Sequence, residues 1–155
     1  MSKNKAERSL AKGLVAGLVA GLVATGAKSC VEAMFPPRVH GEPEPPEALA
    51  EKIAGHHLER KTKTAAGRAI HWGFGAAVGA AYGAVAEYYP AVTSKEGATF
   101  GLTLMSFTHG SSLPAMELAE PAEAQSFRER SSEATSHVVY GLVAERVRSI
   151  VRSML

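Results

Sequence analysis

Three histidines and a carboxylate, His71, His109, His137 and Glu133, are the residues of this chain whose types and placement suit chemistry. Glu133 and His137 are four residues apart and share one face of a helix. Three imidazoles with a carboxylate form a donor set for zinc, copper or non-haem iron. Two of the histidines alternatively suit the axial positions of a haem. With no metal, the same groups suit proton relay, because histidine titrates near neutral pH. The plainer reading is a structural polar cluster, since a histidine near a helix end commonly bonds a neighbour or a headgroup. No catalytic residue is assigned: Ser111-Ser112 and Ser131-Ser132 lack the spacing of a nucleophile elbow. No glycine-rich phosphate loop follows a strand either, because no strand is evident.

These residues are positioned by four apolar stretches, about 13–35, 70–89, 97–114 and 133–154. Each is close to the roughly 20 residues that cross a bilayer core. The third is short, and the fourth passes only as an amphipathic helix. Consecutive spans alternate direction, so the end of the first, the start of the second, the end of the third and the start of the fourth share a side. His71, His109 and His137 then sit roughly 5 to 8 Å below one surface, at about 1.5 Å rise per residue. His40, His56 and His57 lie in the loop on that same side.

The 155 residues make one domain, 1–155. Hydrophobic residues are 46% of the chain, chiefly Ala, Val and Leu interleaved with 15 Gly. Gly13, Gly17 and Gly21, Gly75, Gly79 and Gly83, and Gly97 and Gly101 recur every fourth position. That spacing makes a small-residue stripe on each helix and lets backbones approach closely. The same pattern favours a retained first helix over a cleaved signal peptide, although Lys3, Lys5, Arg8 and Lys12 precede it. A single cysteine, Cys30, excludes an internal disulfide framework, and a net charge of +2 argues against nucleic acid.

Basic residues predominate before the first span and after the fourth, and Glu117, Glu120 and Glu123 mark the third loop as acidic. The positive-inside rule then places both termini in the cytoplasm and the histidine side outward. The first loop, 36–68, is balanced in charge. It opens with Pro36-Pro37, which stops the first helix, and runs through an extended Glu42-Pro-Glu-Pro-Pro46 stretch. A short amphipathic surface helix from Pro46 to Glu59 is expected there, with Leu49, Ile53 and His57 as its stripe. Glu145 is expected to pair with the adjacent Arg146.

His71 to Pro90, with Tyr82-Gly83, Ala86-Glu87 and Pro90 in place, resembles the second transmembrane segment of the YagU-like family. These are small bacterial inner-membrane proteins of unassigned activity. The resemblance continues through Gly97, Gly101, His109 and Pro114, then Ser132-Glu133, His137 and Glu145-Arg146, with Pro36-Pro37-Arg38 after the first span. It departs in the shorter first loop with its Pro-Glu stretch and His56-His57, and in a fourth span poor in aromatics. It implies four spans and a bacterial inner-membrane location, and no reaction.

The expected fold is therefore all-α, a four-span transmembrane bundle with small-residue packing. The expected function is that of a scaffold or accessory subunit that meets membrane lipid and pairs with a second copy or a larger complex. The alternatives are a metal- or haem-binding protein using His71, His109, His137 and Glu133, and a proton or small-ion conductor.

Overall fold

A computed structural model describes residues 8–38 and 44–155; His40 and the start of the Pro-Glu stretch lie outside them. The described residues are helical, with no strand among them. Helix α1 spans Leu10–Met34, and Ser9 caps it by accepting from Lys12 N at 3.4 Å. Helix α2 spans Pro45–Ala54, starting on prolines that need no N–H partner in a first turn. Helix α3 spans Arg60–Tyr88 and stops before Pro90. A 3-10 segment, Pro90–Gly97, then turns the chain through left-handed Lys95, Glu96 and Gly97. Helix α4, Ala98–Phe107, runs through a π-helical turn, Thr108–Ser112, into the single turn α5, Leu113–Ala115. Helix α6 spans Phe127–Met154, with Ser126 capping it through Glu129 N at 3.1 Å.

α1 is the central element, packed against α3 on one side and α6 on the other; α4 lies on α6 and α2 on α3. The α1–α3 contact is made backbone to backbone. A Cβ placed on Gly17 would lie 2.9 Å from Gly83 Cα, and one on Gly21 would lie 3.0 Å from Gly79 Cα. The pairs run antiparallel, Gly13 beside Gly83, Gly17 beside Gly79 and Gly21 beside Gly75. Gly97 and Gly101 meet Gly141 of α6 in the same way. Tyr82 of α3 stacks on Phe100 of α4 with ring centroids 4.0 Å apart, which links the two outer helices.

Side-chain size is distributed inside out. Ala16, Ala20, Ala24 and Thr25 of α1 are buried, while Leu14, Val15, Leu18, Val19, Leu22 and Val23 face outward. The interior of α6 is polar, with Ser132, Glu133, Ser136 and His137 all buried. In water the hydrophobic effect would drive the large aliphatic side chains inward. Leu10–Met34 is, among the described residues, the helix long and apolar enough to cross a membrane on those criteria alone.

Several boundaries differ from those read off the sequence. α2 ends at Ala54 because Gly55 takes a left-handed conformation, φ 74°, and closes the helix. His57 therefore falls outside it, and Ile53 is exposed. α3 begins at Arg60, not Ile70, and its first turns are held by α2: Thr64 Oγ1 donates to Glu47 Oε1 at 2.9 Å. α6 begins at Phe127, ahead of Glu133, on its serine cap.

Candidate functional site

The C-terminal half of α1, the N-terminal halves of α3 and α6, the start of α2 and the end of α4 line a cavity of about 680 Å³. His71, His109, Glu133 and His137 all line it. His71 comes from α3, and its Nε2 lies 3.2 Å from Ser29 Oγ of α1. His109 sits in the π-helical turn, where Leu113 N reaches back to Thr108 O. Such single π turns widen the helix by a residue and recur at functional sites. Pro114, with no N–H to offer, follows directly.

Glu133 and His137 come from successive turns of α6. His137 Nδ1 is 2.8 Å from the carbonyl oxygen of Glu133, and the His109 and His137 rings meet edge to face at 5.1 Å. His109 Nδ1 stands 2.8 Å from Glu133 Oε1. That approach is out of line for a hydrogen bond, and among the described residues Glu133 Oε2 has no partner. Glu133 is 1% exposed, so this acceptor oxygen is buried without a protein partner. Among the described residues, no three side chains of His, Cys, Asp or Glu are gathered as ligands of one metal ion.

His56 and His57 are exposed and do not line the cavity. The cavity wall also holds groups that the sequence reading passed over. Lys28 pairs with Glu32 one turn along α1, and Ser136 Oγ donates to Glu32 Oε1 at 3.3 Å. Two opposite charges four residues apart at the end of an apolar stretch were a legible signal, because that spacing puts them on one helix face. Tyr140, which donates to Gly75 O at 2.7 Å, forms the floor. Trp72, Phe74 and Phe107 form much of the apolar wall.

At the other end of the bundle Glu145 pairs with Arg148, not with Arg146. Arg148 Nε and Nη2 reach the carboxylate at 2.7 and 2.6 Å, and Tyr82 OH donates to it at 2.6 Å. Residues three apart on a helix face each other and adjacent ones do not. Glu87 of α3 accepts from Arg152 of α6 and from Ser9 N at 3.1 Å. Both carboxylates are thereby used in clamping helices together.

The model of one family, described as "Protein of unknown function (DUF1440)", matches residues 22–146. No curated protein and no solved structure matches the chain.

Proposed function

The chain belongs to the DUF1440 family of proteins of unknown function, and we propose that it is a non-catalytic integral membrane protein that holds a small molecule in its histidine-lined cavity. The observation that carries this reading is the buried, unpartnered Oε2 of Glu133 beside a cavity of about 680 Å³. A buried acceptor without a partner costs on the order of 1 to 3 kcal/mol, more when charged. A ligand that donates to it removes that cost. The cavity also falls within the usual ligand range of roughly 300 to 1,000 Å³.

The membrane part of the proposal is a four-span bundle in the bacterial inner membrane with both termini cytoplasmic. The outward Leu and Val rows of α1 support it, as does the resemblance to the YagU-like proteins. In α6 the charge-free run lies between Glu133 and Glu145, and both carboxylates are turned into the protein. A scaffold that docks partners through glycine stripes is less favoured. Gly13, Gly17 and Gly21 are occupied by Gly83, Gly79 and Gly75 of the same chain.

The test is native mass spectrometry of protein extracted from its own membrane in mild detergent. The wild type should carry a discrete small-molecule adduct that Glu133→Gln loses while keeping its helical circular dichroism. A wild type free of any adduct, also after incubation with extracted membrane lipid, would overturn the binding reading.

A further inference from the structure

Resting on that ligand-binding reading, we infer that the occupant is a neutral, lipid-soluble molecule with a hydroxylated aromatic head, that is, a quinol. The polar groups decide the head. A carbonyl oxygen only accepts, so the bond from His137 Nδ1 to Glu133 O places the ring hydrogen on Nδ1. In the neutral ring Nε2 is then a lone pair. With Glu133 Oε2 it gives the site two acceptors and a demand for O–H donors.

Charge decides between a hydroxyl and an ammonium. Two lone pairs at 2.8 Å repel, so one of His109 Nδ1 and Glu133 Oε1 carries a proton, held off the line between them. Net charge at membrane depth is costly, which makes the His109–Glu133 unit neutral as a whole. Among the other charges of the wall, Lys28 pairs with Glu32, Glu44 faces Arg38 at 3.8 Å, and Arg68 offsets Glu47 in the count. A neutral site takes a neutral ligand. The carboxylate, out of line with His109, meets the incoming hydroxyl by turning about its own Cγ–Cδ bond.

The walls decide the rest. Trp72 and Phe107 are 42% and 65% exposed, yet both line the cavity. They stand on α3 and α4, so the cavity opens sideways between these helices, toward lipid. Aromatic faces suit a flat ring, which stacks on them in offset or edge geometry. The volume holds such a ring and the first part of an apolar tail.

Trp72 is the sole tryptophan of the chain and reports on the site directly. The experiment titrates the detergent-purified protein with four decyl-tailed probes: a quinol kept reduced, its quinone, an amine and a plain alcohol. Binding is read by Trp72 fluorescence and by calorimetry. The expected result is saturable quinol binding, at least tenfold tighter than the quinone, which has no O–H to donate. Glu133→Gln should erase most of that difference. The quinol-against-quinone comparison needs no variant, so it decides even where Glu133→Gln folds poorly. Saturation by the amine or the alcohol with no quinol preference would overturn the quinol inference and leave a ligand site standing. Failure of all four probes to bind would overturn both.

Discussion

His137 Nδ1 and the carbonyl oxygen of Glu133, one turn apart on α6, are 2.8 Å from each other. The bond orients the imidazole and assigns its hydrogen. It should be visible in nitrogen-15 spectra of histidine-labelled protein at neutral pH. We expect one buried histidine with a protonated Nδ1 and a bare Nε2, absent from the His137→Gln spectrum. The opposite tautomer at His137 would contradict the geometry.

The glycines of α1 and α3 should be intolerant of a single methyl group. A Cβ on Gly79 would lie 2.7 Å from Gly21 N, and backbone cannot move aside as a side chain can. Gly79→Ala is expected to destabilise by about 1 to 3 kcal/mol, the usual range for overpacking. Gly73, on the same helix, has open space where its Cβ would stand. Gly73→Ala should stabilise by up to about 1 kcal/mol through helix propensity. Unfolding midpoints in mixed detergent micelles compare the two, and equal effects would refute the packing argument.

Arg148 and Arg146 give a second paired comparison. Arg148→Ala leaves the Glu145 carboxylate with Tyr82 alone and should cost about 2 kcal/mol, as for a hydrogen bond to a charged group. Arg146 is exposed, and its removal should stay within about 0.5 kcal/mol. Thermal unfolding of the two variants is the measurement.

Acid should loosen the loop between α2 and α3. Leu58 N donates to Glu51 Oε1 at 3.0 Å, and Lys63 Nζ reaches the other oxygen at 3.3 Å. The Leu58 N–H above all, with Lys63 behind it, holds the Glu51 carboxyl below its ordinary range. A lowered folded value means that this clasp contributes fully above the unfolded value. Its contribution fades as pH falls from that unfolded value through the lowered folded one. Hydrogen exchange at Leu58 should speed up across that window beyond the intrinsic pH effect. Glu51→Gln should show the faster exchange already at neutral pH.

Topology is open to thiol labelling, because Cys30 is the chain's only cysteine. In a Cys30→Ser background, His57→Cys should react with a membrane-impermeant maleimide added to cells with a permeabilised outer membrane. Ser153→Cys should react only after the inner membrane is opened. Labelling of both from outside would contradict termini in the cytoplasm.

The helical class was legible because apolar runs and every-fourth glycines repeat at helical period, and α1, α3, α4 and α6 fall on those runs. Helix starts were less legible, for a physical reason. Arg60 to Lys63 carry no apolar stripe, and they are helical because α2 folds back onto the next turn through Glu47 and Thr64. The start of α6 was written in Ser126 and Glu129, a capping pair overlooked beside the stronger apolar signal downstream. In the site, Glu133 and His137 were readable as neighbours from their spacing. The misaligned contact with His109 was not, because it depends on the crossing of α4 and α6 and on an extra residue in the π turn. Nothing in Thr108-His-Gly-Ser-Ser112 announces that turn.

The glycine register between α1 and α3 also limits how the bundle can rearrange. Each tooth is a glycine backbone, and each gap between teeth is filled by bulkier neighbours. A screw of α1 by one residue toward its N-terminus, about 1.5 Å along its axis and about 100° around it, would drive Leu14, Leu18 and Leu22 into the main chain of α3. The next register of matching shape lies four residues away, about 6 Å along the axis. The two helices thus behave as a ratchet that moves by a full notch or stays still, and smaller motions are left to the side of the bundle where α3 and α4 stand apart.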